Sequence, residues 1–177
     1  MPVQHVVARM VRQTADPGNV QAAMARALRF LGGRDRSRQE VRNYLVRAGF
    51  GSTVIEEVVA RLENWGYLND RRLAEEWISF RLARGQAGKE RLRHELYRRG
   101  IAATTVNEVL AAISAETEGE AALAAAERWL GRTARADPVS GSQEDLAGLR
   151  RRLWAFLVRR GYTGEIARAV VDHLLPS

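Results

Sequence analysis

Apolar residues recur along this chain at helical intervals, so helices are predicted throughout and no β-sheet. From Asn19, the residues Val20, Met24, Ala27, Leu28 and Leu31 fall on one face, until Gly32-Gly33 stops the helix. Ser37-Arg38-Gln39-Glu40 reads as a capping box, opening a helix that buries Val41, Leu45 and Ala48 and ends at Gly49. A third helix starts near Thr53, with Glu56 as a second box partner and Ile55, Val58, Val59 and Leu62 inward. The turn Trp65-Gly66-Tyr67-Leu68-Asn69-Asp70 follows, with Asn69 or Asp70 as cap of the next helix. That helix runs to Arg84 with Leu73, Trp77 and either Ile78 or Phe80 inward. Further helices are predicted over Lys89–Arg99, Thr105–Ile113, Glu118–Leu130, Asp145–Arg160 and Thr163–Leu175.

These helices fall into three rounds. Aligned on Gly49, Gly100 and Gly161, the residue eight earlier is Val41, Leu92 or Leu153, and four earlier Leu45, Leu96 or Leu157. One later stand Phe50, Ile101 and Tyr162, nine later Val58, Val109 and Val170, and thirteen later Leu62, Ile113 and Leu174. Arginine stands two before the glycine each time, as Arg47, Arg98 and Arg159. The prediction is an all-α chain of three tandem three-helix repeats, 19–68, 69–115 and 116–177, forming an elongated, curved solenoid-like body. The third repeat carries an inserted loop at about 131–145, and residues 1–18, ending in Asp16-Pro17-Gly18, form a flexible leader. Each glycine is read as the left-handed residue that closes a helix, and the apolar residue after it packs back on the preceding turn.

Charge narrows the partner. The formal net charge of the 177 residues is +7, and Lys89 is the only lysine, so 27 of the 28 basic residues are arginine. Arginine presents a planar, permanently charged fork suited to phosphate and carboxylate, which favours a polyanion or an acidic protein surface as partner. There is no cysteine, so disulfides and thiolate metal sites are excluded. His5, His94 and His173 stand apart, without a second ligand at metal spacing, and no serine-nucleophile or phosphate-loop motif is present. Neighbouring carboxylates such as Glu56-Glu57 and Glu75-Glu76 point to different helix faces. The expectation is therefore no catalysis, no metal and no cofactor. No window reads as a membrane span, and a cytoplasmic protein is expected.

The arginines cluster on second helices. Arg84, Lys89, Arg91, Arg93 and Arg98 lie in a stretch of local charge +4, where Leu92 and Leu96 mark the inner side and Arg91, His94 and Arg98 project outward. The stretch Arg150–Arg168 has a local charge of +5, with Arg151, Arg152 and Arg159 opposite an apolar face of Leu149, Leu153, Phe156 and Leu157. Arg34, Arg36, Arg42 and Arg47 are the candidates of the first unit. Any one arginine is as well explained by solvation of a helix face. Recurrence in each unit instead suggests a track that binds a phosphate backbone without reading sequence. Among the tryptophans, Trp77 and Trp129 read as core and Trp65 as a wedge between units. Trp154 falls on the flank of its stripe, either core or partly exposed towards a partner.

The string Gly66-Tyr67-Leu68-Asn69-Asp70 with the following RRLAEEW resembles the GYLDD-x-RFA signature of the RecX recombination regulators. RLRHELYRRGI after Lys89-Glu90 and LGGRDRSRQEVRNYLVRAGF upstream resemble that family's second and first units. Asn69 replaces an acidic residue, Leu73 a phenylalanine and Val41 a leucine, each keeping cap or core chemistry. The resemblance implies a non-enzymatic modulator, acting as a monomer in DNA recombination, DNA repair and the SOS response. It would lie in the groove of the RecA–DNA filament, restrain RecA's ATPase, strand-exchange and coprotease activities, and bind single- and double-stranded DNA weakly without sequence preference. Two other readings stand beside it: a basic helical DNA-binding protein acting without RecA, and a helical scaffold for other proteins. No helix carries the Asn, Gln and Arg set of base-edge readout.

Overall fold

The computed structural model describes residues 18–136 and 143–176, and among these residues there are nine α-helices and no strand. The helices are α1 (Val20–Leu31), α2 (Arg38–Arg47), α3 (Ser52–Asn64), α4 (Asp70–Ala83), α5 (Lys89–Arg98), α6 (Ala103–Ala111), α7 (Ala115–Ala136), α8 (Gln143–Arg159) and α9 (Gly164–Leu174). The chain divides between Leu73 and Ala74 into two compact units. The leader expected at 1–18 lies outside the described residues apart from Gly18. Of the loop expected at 131–145, α7 takes the part through Ala136 and α8 the part from Gln143, and 137–142 lie outside the described residues.

The corners follow the predicted register. Gly49, Gly100 and Gly161 have φ of 90°, 75° and 84°, the left-handed region that glycine enters without a side-chain clash. Behind each is the same pair of backbone hydrogen bonds. The glycine N–H donates three residues back, to Val46, Tyr97 or Val158 (3.0, 2.8 and 2.9 Å). The next N–H donates five back, from Phe50, Ile101 or Tyr162 to Leu45, Leu96 or Leu157 (3.3, 3.2 and 3.3 Å). This is the Schellman closure, and it folds the apolar residue after the glycine onto the helix just ended. Phe50, Ile101 and Tyr162 are all buried, as are the leucines they bond.

In the first unit, Ala23, Ala27, Val41, Leu45, Val58 and Leu62 form the centre of one core. Ser37 and Glu40 complete the capping box of α2, with Glu40 N–H to Ser37 Oγ at 3.0 Å and Ser37 N–H to Glu40 Oε2 at 2.8 Å. The inward face of α1 includes Ala27 as predicted but not Leu28. Small Ala23 and Ala27 are fully buried, whereas Leu28 is 38% exposed, because an alanine face lets α1 approach α2 and α3 and rotates Leu28 outward. Glu56 does not cap α3; it pairs with Arg42 across the helix pair. Asn69 caps α4 through Arg72 N–H (2.9 Å), which leaves Asp70 to accept from Arg38 N–H (2.9 Å) and Arg38 Nε (3.3 Å). Trp65 is 57% exposed rather than a wedge, and Leu68 is the buried residue of that turn.

In the second unit, Leu92, Leu96, Val106, Leu153, Leu157 and Ala167 are fully buried. Ile78 points inward and Phe80 is exposed, resolving the alternative left open at α4.

Candidate functional site

Within the second unit, the start of α5 meets the end of α8 backbone to backbone. The Gly88 N–H donates to the Arg160 carbonyl (2.9 Å) and the Glu90 N–H to the Gly161 carbonyl (3.2 Å). The first N–H groups of a helix lack intrahelical acceptors and the last carbonyls lack donors, so the two ends satisfy each other. Glycine is required on both sides. A Cβ on Gly88 would lie 2.6 Å from the Gly161 carbonyl carbon, and a Cβ on Gly161 would lie 2.6 Å from the Arg91 Cβ.

This junction brings four arginines around a cleft of about 700 Å³, lined by Arg81, Gln86, Arg91, Phe156, Arg159 and Arg160. One carboxylate, Glu95, organises part of it. Its Oε1 accepts from Arg81 (2.6 Å) and Arg91 Nε (3.0 Å), and its Oε2 from Trp77 Nε1 (3.0 Å). Burial pushes the Glu95 carboxyl up, but the hydrogen bonds from Arg91, Trp77 and Arg81 outweigh it and hold the group below the ordinary glutamate value. Arg81 also donates to Gln86 Oε1 (2.8 Å), while its buried Nε finds no acceptor among the described residues. Arg160 reaches the carbonyls of Gly85 (3.3 Å) and Gln86 (3.2 Å), with its guanidinium 4.8 Å from the Phe156 ring centroid. Burial lowers the Arg160 pKa from its ordinary value; Tyr162 opposes that shift, and the positive charges of Arg91, Arg132 and Arg81 reinforce it. A site crowded with cations and short of carboxylates is suited to an anion with several acceptor oxygens.

Residues 23–62 match the family model described as RecX, first three-helix domain, and residues 69–110 the one described as RecX, second three-helix domain. Over 158 residues the chain is 32% identical to the regulatory protein RecX of Mycobacterium avium (strain 104), covering 89% of this chain and 87% of that protein. The chain belongs to the RecX family. The regulatory protein RecX of Prosthecochloris aestuarii (strain DSM 271 / SK 413) is 31% identical over 158 residues, covering 89% of this chain and 96% of that one. The fold is similar to the crystal structure of RecX from Lactobacillus salivarius, with a TM-score of 0.72 at 18% identity over 88% of this chain and 96% of that one. A second crystal structure, of a regulatory protein RecX, gives a TM-score of 0.68 at 18% identity over 97% of this chain and 78% of that one. RecX relatives thus bear a regulatory name. Among the described residues there is no metal-binding cluster of acidic, histidine or cysteine side chains, and no helix long and apolar enough to cross a membrane.

Of the arginines singled out from sequence, the cleft gathers Arg91 and Arg159. Others are engaged inside their own helix pairs. Arg42 forms a two-pronged pair with Glu56 (2.8 and 2.7 Å), and this hydrogen bonding raises the Arg42 pKa and lowers that of Glu56. Lys89 donates to the Ile113 carbonyl (2.7 Å) and lies 3.8 Å from buried Glu118. Arg93 donates to Asn107 (2.7 Å). Arg36 and Arg84 stack on Phe30 (4.1 Å) and Phe80 (4.0 Å), and Arg34 lies 4.0 Å from Glu40. Arg47, Arg98, Arg151 and Arg152 are exposed. Sequence reading missed Arg81, Gln86, Phe156 and Arg160 as cleft residues. For Arg160 a local signal existed, its place directly before the corner glycine; for Arg81 there was none.

Proposed function

We propose that this chain binds the RecA–DNA filament and restrains RecA's ATPase, strand-exchange and coprotease activities, without catalysing a reaction itself. The filament groove, where DNA phosphates lie beside protein surface, is the binding place. The observation that carries the reading is the cleft, where four guanidinium groups gather and the Glu95 carboxylate bonds two of them. Phosphate oxygens entering it would relieve the mutual repulsion of these cations and meet donors already held by Glu95 and the backbone. Membership of the RecX family supports RecA as the protein partner. The organisation goes with this reading: three units at 19–68, 69–115 and 116–177, acting as a monomer in the cytoplasm during recombination and repair.

The test is RecA ATP hydrolysis on single-stranded DNA, titrated with the protein at substoichiometric amounts. Wild type is expected to inhibit. Arg159→Glu combined with Arg91→Gln should raise the concentration for half-inhibition by on the order of tenfold, with unchanged helicity. Arg47→Glu, outside the cleft, should change it by less than about threefold. Absence of inhibition by wild type at any ratio sinks the RecA reading. Equal effects of the two variants sink the cleft's part in it.

A further inference from the structure

Counted from each corner glycine, the position seven before is Arg42, Arg93 or Trp154, and the position seven after is Glu56, Asn107 or Arg168. In the first two repeats these positions tie the second helix to the third. Arg42 bonds Glu56 at 2.7 and 2.8 Å, and Arg93 bonds Asn107 at 2.7 Å. The third repeat has no such donor and acceptor. An aromatic ring replaces the donor and an arginine the acceptor, and the space between α8 and α9 stays open. Trp154 and Arg168 both line a groove of about 550 Å³ with Gly164 and Glu165, and a second of about 480 Å³ with Ala155 and Val171. Trp154 is 43% exposed, and Val158, one turn on, is exposed as well. Asp172, which lines both grooves, is engaged by Arg150, leaving Arg151 and Arg168 as cations on the rim and exposed Arg152 beside them.

We propose that Trp154 is a stacking platform for an unpaired nucleobase, with Arg151 and Arg168 holding the adjoining phosphates of a single strand. An exposed indole beside guanidinium groups suits a strand whose bases are unstacked, since every base offers a ring face and every linkage an anion. A duplex keeps its bases stacked inside and meets only the cations. The rim favours a nucleic acid over an acidic protein segment because the open feature is a flat ring between two grooves, not one deep pocket for an apolar anchor. The inference rests on the nucleic-acid part of the function proposed above, but not on its cleft.

The test compares wild type, Trp154→Phe, Trp154→Leu and the Arg159→Glu/Arg91→Gln cleft variant. Each is titrated with oligo-dT and with a duplex of equal length at fixed salt, with helicity checked throughout. Trp154→Leu should weaken oligo-dT binding about tenfold and duplex binding less than twofold. Trp154→Phe should keep most of the affinity but lose the fluorescence quenching that oligo-dT causes in wild type. Wild-type affinity of Trp154→Leu for oligo-dT overturns the inference, whatever the cleft variant does. Should Trp154→Leu bind oligo-dT normally yet fail to restrain RecA, the groove takes a protein segment instead, and the inference is equally overturned. Weakening in the cleft variant alone leaves the proposed function standing and the platform refuted.

Discussion

At Gly49 and at Gly161 the chain leaves a helix through the same left-handed residue, with the same two backbone hydrogen bonds behind it. An added Cβ would meet nothing within 4 Å at Gly49, yet at Gly161 it would strike the backbone of Arg91. Gly100, the middle corner, shares their positive φ and the same backbone closure. One local motif therefore serves two ends. In the first unit it only turns the chain. In the second unit the third corner also receives the start of α5, and the carbonyls of Arg160 and Gly161 become acceptors for Gly88 and Glu90. The cleft arginines are gathered by that docking, so a motif that repeats in sequence has acquired a role that does not repeat.

The largest expected effect tests this difference directly. Gly49→Ala and Gly100→Ala should each cost about 1–2 kcal/mol, the penalty of placing a Cβ in the left-handed region. Gly161→Ala adds a clash with Arg91 that no flexible side chain can absorb, and should cost about 3 kcal/mol or more. Gly88→Ala, whose Cβ would meet the same junction from the other side, belongs with it. Urea denaturation of the four variants measures the contrast. Equal losses at Gly49 and Gly161 would mean that the junction contributes nothing beyond the turn.

Glu95 comes next in size. Removing its charge by Glu95→Gln leaves Arg81 and Arg91 facing Arg160 without their shared counter-ion, and should cost about 2–4 kcal/mol at neutral pH. The pH dependence has a definite sign. The Glu95 carboxyl is held below its ordinary value in the fold, so it stabilises the folded state above the unfolded glutamate value of about 4.3. That contribution is lost as pH falls through the lower folded value. Stability of wild type should therefore fall more steeply between pH 5 and pH 3, both approximate limits, than stability of Glu95→Gln. Parallel curves for the two proteins would deny the carboxylate its place at the centre of the arginine cluster. The first unit offers the control: Glu56 is also held low by Arg42, but it is exposed, and Glu56→Gln should change stability by less than about 1 kcal/mol.

The same contrast explains what could be read from the chain alone. The corners, the caps at Ser37 and Asn69 and most of the apolar register were legible because each depends on residues within a turn of one another. Gly100 needs only Leu96, Tyr97 and Ile101 to be understood. The cleft was not legible, because Arg160 reaches carbonyls 74 and 75 residues away in sequence, and nothing local marks which helix ends will meet. Arginine itself is ambiguous for the same reason. Arg42, Arg93 and Arg98 look alike on their helices, but the first two find acceptors on the following helix and Arg98 remains exposed. Large apolar residues misled in the opposite direction: Leu28 and Trp65 were expected inside, but Ala23, beside the expected Ala27, and the neighbouring Leu68 are the buried residues.

The smallest effect concerns the residue after the third corner. Phe50 and Ile101 fill this position with hydrocarbon, whereas Tyr162 places there a hydroxyl that is buried and has no hydrogen-bond partner among the described residues. Burial accordingly pushes its pKa up to about 12. An unsatisfied buried hydroxyl loses its contact with water and receives nothing in return, so its removal is favourable unless it serves a purpose. Tyr162→Phe should leave stability unchanged or raise it by up to about 1 kcal/mol, making the third corner resemble the first two. A loss above about 1 kcal/mol in urea denaturation would instead show that the hydroxyl takes part in the junction, and that this corner departs from Gly49 in its core as well as at its glycine.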